Sequence, residues 1–228
     1  MTARTDSDHD AKASQRRRRG GALLELPILL LIAFGLALLL RTFLVAAFYI
    51  PSESMVPTLE IGDRVLVNKI IYDLREPRRG EIVVFRADTG FGAPAEEPSL
   101  LDRVVEFLSF GLQPSGSEED FIKRVIGLPG ETVELRDGVV YIDGKPLPEE
   151  LAVDGGYLQD IDKDPFGPIT VPEGEYFMLG DWRTNSGDSR FQMGTIPEED
   201  ITGRAFVLLW PPDRFRLLTG AEYPGFDE

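Results

Sequence analysis

A mainly β, antiparallel fold behind one N-terminal membrane-spanning helix is the class this sequence predicts. Three observations predict it. Residues 22–40 form an apolar run of 19 residues whose only charged side chain is Glu25. Beyond it, short apolar runs alternate with turn residues at the spacing of short strands. No long amphipathic helix period occurs after residue 41.

The elements follow in chain order. Residues 1–20 are rich in Arg, Asp and Ser with almost nothing apolar, and are expected to be a disordered tail. They carry six basic and three acidic side chains, a net +3, so the whole-chain charge of −15 leaves −18 on residues 21–228. An acidic body argues against a nucleic-acid partner, which requires a basic footprint.

Residues 21–41 read as the anchor. At 1.5 Å per residue the apolar run reaches about 28 Å, close to the hydrocarbon thickness of a bilayer. Pro27 lies in the first turns, where it is tolerated. Arg16–Arg19 precede the run, which places the tail in the cytoplasm and residues 42–228 on the outer face of the plasma membrane, as a single-pass protein. Arg41 closes the run and can snorkel to the far interface. The competing reading is a cleaved secretory signal with Val45-Ala46-Ala47 at the cut. The run exceeds the usual length of such a segment and Arg41 interrupts it before the site, which favours an uncleaved anchor. Residues 43–50 read either as a buried strand or as an apolar surface dipping into the membrane interface.

Residues 42–228 are the expected extracytoplasmic domain. Strands are predicted at 64–68, 81–85, 121–126, 132–135, 139–142, 176–179 and 205–210. Asp137-Gly138 and Asp143-Gly144 are hairpin-type turns. Residues 87–119, rich in Gly, Pro, Ser and Glu, read as a flexible insertion, and the acidic stretch 146–170 as a small inserted lobe.

The chemistry open to the chain is narrow. It has no cysteine, and its one histidine, His9, lies in the tail. A Ser-His-Asp triad needs an imidazole in the folded domain, and zinc prefers nitrogen and sulfur ligands. No metal or other cofactor is expected. Three polar segments remain. Pro51-Ser52-Glu53-Ser54-Met55-Val56-Pro57-Thr58-Leu59 is bracketed by prolines; its serines read as turn residues or as a nucleophile on a rigid loop. In Phe121-Ile122-Lys123-Arg124-Val125-Ile126, alternation puts Phe121, Lys123 and Val125 on one face. If that face is the core, Lys123 is desolvated and its pKa falls toward that of a general base; if not, it is a solvent-facing lysine. In Gly180-Asp181-Trp182-Arg183-Thr184-Asn185-Ser186-Gly187-Asp188-Ser189-Arg190, two Asp and two Arg suggest a loop pinned by bidentate pairs, against the alternative of a solvated turn.

Together these segments resemble the conserved boxes of type I signal peptidases, the S26 serine proteases. The Pro51–Leu59 stretch resembles their nucleophile box. Arg79-Gly80-Glu81-Ile82-Val83-Val84-Phe85 resembles the second box, 122–131 the lysine box, and 180–190 the last box. All four occur in the family's order behind an N-terminal apolar segment.

The resemblance implies a signal-peptidase-like domain that removes signal peptides from preproteins, cutting after small residues of the Ala-x-Ala type. It implies Ser54 as nucleophile and Lys123 as its base. Ser186 would hydrogen-bond the lysine amine. The Ser52 hydroxyl and the Ser54 N–H would form the oxyanion hole. Arg124, Asp181, Arg183, Asp188 and Arg190 would be the scaffold. Phe48, Ile50, Pro51, Met55, Leu59, Val84, Phe121 and Ile122 match positions that line the family's substrate pockets. The expected partners are signal peptides and the lipid bilayer, with the secretion translocon left open. Trp182, Thr184 and Glu81 depart from the commoner residues at their positions. A self-cleaving repressor-type relative shares Ser-Met and lysine boxes but would carry a DNA-binding domain. The alternative of another class is a non-catalytic anchored β-domain that binds proteins at the cell surface. It would have no reason to hold Ser54, Lys123 and Ser186 together, and Ser54 Oγ within hydrogen-bond reach of Lys123 Nζ would tell the two readings apart.

Overall fold

The structure, a computed structural model, describes residues 27–35, 44–87, 120–191 and 193–226. The chain divides into two units, residues 1–43 and 44–228. In the first, residues 27–35 are helical, and Ile28, Leu29, Leu30, Leu31, Ile32 and Phe34 are exposed. Among the described residues no helix is long and apolar enough to cross a membrane. The rest of the apolar run, the tail 1–20 and all of the 87–119 insertion except Ala87 lie outside the described residues.

The second unit is built of antiparallel strands. In chain order they are β1 (Val45–Tyr49), β2 (Arg64–Asn68), β3 (Ile82–Arg86), β4 (Asp120–Gly127), β5 (Thr132–Arg136) and β6 (Val139–Ile142). Then come β7 (Lys145–Pro146), β8 (Phe166–Thr170), β9 (Glu175–Leu179), β10 (Ile196–Pro197), β11 (Ile201–Trp210) and β12 (Arg216–Leu217). An eight-stranded sheet runs β1-β2-β11-β3-β4-β9-β10, with β12 also paired to β11, and a four-stranded sheet runs β7-β6-β5-β8.

Alternation explains the outer strands. In β2, Val65 and Val67 are buried between partly exposed neighbours, and in β5 Val133 and Leu135 are. Asp137-Gly138 and Asp143-Gly144 have φ of 52°, 83°, 50° and 77°. These are the positive angles that a two-residue type I′ hairpin requires, and they join β5 to β6 and β6 to β7. β11 begins earlier than residue 205. It passes so close to the Asn68 carbonyl of β2 that Gly203 has no room for a Cβ, and a glycine there breaks the apolar alternation that marks a strand. Within the 43–50 stretch, Val45–Tyr49 form β1, which pairs with β2 along its whole length.

Central strands behave differently. From Ile122 to Gly127 every residue of β4 is buried, as are the first four of β3. One face packs Ile122 with Ile82, Val84, Ile50, Met55 and Leu59. The other packs Val125 with Val83, Phe85, Tyr176 and Met178, and Phe121 borders it. Because both faces are covered, Lys123 is buried whichever way it points, which removes the solvent-facing alternative. The 146–170 stretch is shared out: β8 pairs with β5 in the small sheet, and residues 149–162 run against the 180–190 loop.

Candidate active site

The nucleophile-box loop leaves β1 and is anchored from below. Leu59 N–H donates to the Met55 carbonyl at 2.8 Å, forming one helical-type turn, and both side chains are fully buried in the same apolar cluster. Two further bonds, Ile50 N–H to Asp63 O at 2.9 Å and Gly62 N–H to Ile50 O at 3.0 Å, close the base of the loop. Ser54 is therefore held at a buried rim, 6% exposed.

From β4, Lys123 Nζ donates to Ser54 Oγ at 2.7 Å and to the Ile122 carbonyl at 2.9 Å. The amine is almost wholly buried, and burial pushes its pKa down from 10.5 to about 8. The Asp188 and Asp181 carboxylates pull it partly back up. Such a group is still mostly an ammonium at pH 7, but its neutral fraction there, about one-tenth, far exceeds that of a free lysine and can accept a proton from the hydroxyl it faces.

This shift carries a stability prediction. Below pH 8 the ammonium must be buried, at a cost of ~3 kcal/mol relative to the unfolded chain; the cost fades as pH rises from about 8 to 10.5, where unfolded lysine also loses its proton. Lys123→Met removes that cost and about two hydrogen bonds worth ~1 kcal/mol each. The Met variant should unfold at a higher temperature than wild type at pH 7, and the difference should shrink and reverse as pH approaches 11, read by thermal unfolding at several pH values.

Three contacts tie the nucleophile loop to the 180–190 loop: Trp182 N–H to Ser54 O at 3.1 Å, Asn185 Nδ2 to Glu53 Oε2 at 3.1 Å, and the Thr58 hydroxyl to Asp181 Oδ2 at 2.5 Å. Asp181 also receives Arg124 bidentately, Nε at 2.8 Å and Nη2 at 2.6 Å, with both side chains buried. Arg124 Nη1 continues to the Gly80 carbonyl at 2.8 Å. Arg190 takes Asp188 bidentately, both contacts at 2.9 Å, and Asp188 accepts the Gly180 N–H at 3.2 Å. Arg183 Nε donates to Gly180 O at 3.0 Å, and its other nitrogens go to Glu149. Bidentate pairs thus hold the 180–190 loop, and Arg124 reaches it from β4.

Gly180 sits where the two loops touch. A Cβ there would lie 2.6 Å from the Ser54 carbonyl oxygen and closer still to Ser186 Oγ. Gly180→Ala should lower activity by about 100-fold and stability by ~1–3 kcal/mol, because backbone on one side cannot yield. Parallel turnover and denaturant measurements check both figures.

Not every expected contact is present. The Ser186 hydroxyl does not reach the lysine; it is buried against Gly180 and has no hydrogen-bond partner among the described residues. The amine instead donates to Ser54 and to its own strand's Ile122 carbonyl. Ser52 Oγ lies 3.4 Å from Ser54 Oγ, a long contact that leaves an exposed hydroxyl beside the nucleophile position. Phe48, Ile50, Met55, Leu59, Val84 and Ile122 share one cluster. Phe121 does not join them: it borders the opposite face of the sheet, stacked 6.1 Å from Phe85, because alternation sends it away from Ile122. Pro51 is exposed. The Trp182 departure is benign at one contact, since the tie to Ser54 uses its backbone N–H. Thr184 donates to Asp160, and Glu81 gathers Arg75, Tyr72 and the Arg78 N–H.

Sequence reasoning missed Glu149, Tyr157, Tyr223, Asp160 and Asp162. The available signal was that a buried Arg183 or Arg190 requires an acid, and the acids lie in 146–170. Among the described residues no group of three or more His, Cys, Asp or Glu side chains is placed to hold a metal ion.

A serine hydroxyl facing a buried amine on an antiparallel β scaffold is chemically of the class that can cut acyl bonds without histidine. Comparison with known proteins defines the family. The family described as "Signal peptidase, peptidase S26" matches residues 23–210, and the chain belongs to it. A probable signal peptidase I-2 from Synechocystis sp. is 42% identical over 196 residues, covering 86% of this chain and 77% of that protein. A signal peptidase I from Leptolyngbya laminosa is 45% identical over 179 residues, covering 78% and 75%. A signal peptidase I from Mycobacterium tuberculosis is 34% identical over 243 residues, covering 93% and 82%.

Proposed function

We propose that this chain is a membrane-anchored serine endopeptidase that removes N-terminal signal peptides from preproteins, with Ser54 as nucleophile and Lys123 as general base. The supporting observation is the 2.7 Å bond from the buried Lys123 amine to Ser54 Oγ, in a chain of the signal peptidase family. Ser54 Oγ attacks the scissile carbonyl while neutral Lys123 takes its proton; the resulting ammonium then protonates the leaving amine. Water deacylates the enzyme by the same route in reverse. The developing oxyanion is met by the Ser54 N–H and the exposed Ser52 hydroxyl, each donor worth ~3 kcal/mol in such chemistry. Ser186 fills the space behind Gly180 and limits the movement of the loop that carries Asp181 and Asp188.

Substrate side chains of the Ala-x-Ala type rest on the apolar cluster beneath the nucleophile. Ile50, Met55 and Leu59 are fully buried and serve as its floor, whereas Phe48 and Ile122 retain a little exposure, 9% and 7%. A shallow surface of this kind admits small residues and rejects long ones by steric overlap.

Residues 21–41 are the proposed anchor, with the tail inside and residues 42–228 outside; the exposed apolar side chains of the 27–35 helix and the Arg16–Arg19 cluster support this reading. The bilayer is then a partner of the first unit, and the translocon a neighbour. Protease added outside intact spheroplasts should digest the second unit and spare the tail. Protection of residues 51–228 would reverse the topology. The activity itself is tested by incubating the detergent-solubilised protein with a preprotein and sequencing the product's N-terminus. Release at an Ala-x-Ala boundary supports the function, and no cleavage of any preprotein opposes it.

A further inference from the structure

Residues 149–162, an acidic stretch in the sequence, lie along the 180–190 loop, and five of them engage that loop or the strand behind it. Glu149 receives Arg183 bidentately, Nη1 at 3.0 Å and Nη2 closer, with 5% and 3% of the two side chains exposed. Tyr157 lays its ring 4.0 Å from the Arg124 guanidinium. Its hydroxyl donates to the same Glu149 and meets the Tyr223 hydroxyl at 2.6 Å. Gln159 N–H donates to Asp181 O at 3.0 Å. Asp160 accepts the Thr184 hydroxyl and N–H, and Asp162 accepts Arg190 Nη1 at 2.7 Å.

We propose that residues 149–162 form a positioning strap for the nucleophile, with Glu149 as its central residue acting through Arg183. The proposal rests on the signal peptidase reading given above. The contacts form one short chain. Glu149 holds Arg183; Arg183 Nε holds the Gly180 carbonyl; Gly180 backs directly onto the Ser54 carbonyl; and Trp182 N–H donates to that same carbonyl. A displacement of Arg183 therefore reaches the Ser54 backbone through a single residue on either side. A buried ion pair often adds little net stability, since desolvation offsets attraction. It does confine the guanidinium to one position, and small errors in placing a nucleophile cost large factors in rate.

Glu149→Gln keeps the shape and the acceptor for Tyr157 but removes the charge. In the full-length protein in detergent, with a peptide spanning an Ala-x-Ala site, kcat should fall about 10- to 100-fold with KM within about twofold. Glu149→Asp should recover part of the loss. Glu149→Gln leaves Arg183 buried without its counter-charge, so Tyr157→Phe provides a milder second variant: it keeps the ring over Arg124 and removes only the hydroxyl, and kcat should fall about three- to tenfold at unchanged KM. A folded Gln or Phe variant with wild-type kcat, or a change confined to KM, overturns the strap. Wild type and Ser54→Ala are assayed alongside. An inactive wild type would count against the functional reading itself, whereas an active wild type with unimpaired strap variants would count only against the strap.

Discussion

Ser54→Ala should abolish preprotein cleavage, with a loss of about 10⁶ in kcat, the size seen when a serine protease loses its nucleophile. The chain offers no substitute, having no cysteine and only His9. Ser52 is nearby, but its oxygen is 3.4 Å from Ser54 Oγ, and it is Ser54 that receives the Lys123 amine at 2.7 Å. Removing one buried oxygen costs the amine one hydrogen bond, ~1 kcal/mol, and leaves its bond to the Ile122 carbonyl. The variant should therefore fold, with a thermal transition close to that of wild type, and bind substrate without turning it over. Single-turnover assays with a preprotein measure this.

Lys123→Arg and Lys123→Met should both lose about 10⁴ in kcat, although one keeps the positive charge and the other has none. Arginine does not deprotonate in the working range, and methionine has no proton acceptor of comparable basicity. Their stabilities should diverge. The Arg variant buries a permanent cation where Lys123 is 3% exposed and should be destabilised by several kcal/mol. The Met variant should gain stability at neutral pH. Equal inactivity with opposite stability separates a base from a structural charge.

The candidate site was legible in the sequence where chemistry constrains residue type and spacing. Ser54, Lys123 and the Asp181–Arg190 loop stand in recognisable order, and the geometry places them together. The strands were legible where one face is wet, as in β2 and β5, because alternation then marks them. Two kinds of feature were not. In β3 and β4 both faces are buried, so alternation could not say whether Lys123 faces core or solvent; it did put Phe121 with Val125, and the grouping of Phe121 with Ile122 came from the family resemblance alone. Contacts between segments distant in sequence were also hidden. Nothing in Glu149 or Tyr157 alone indicates that they close over Arg183 and Arg124. Ser186 is a third case: its position in the last box is plain, but whether its hydroxyl reaches the amine depends on side-chain placement beside Gly180, which the sequence does not specify.

The neutral-lysine mechanism is tested most directly by the pH dependence of preprotein cleavage, with wild type measured beside Lys123→Arg. Burial holds the Lys123 pKa at about 8, so below that pH most molecules carry an ammonium that cannot accept the Ser54 proton. The wild-type rate should rise about tenfold per pH unit on the acid side, bend near pH 8 and level off above it, while the Arg variant stays at background throughout. A wild-type rate that is flat between pH 6 and 9, or substantial turnover by Lys123→Arg, would contradict the assignment of Lys123 as the base.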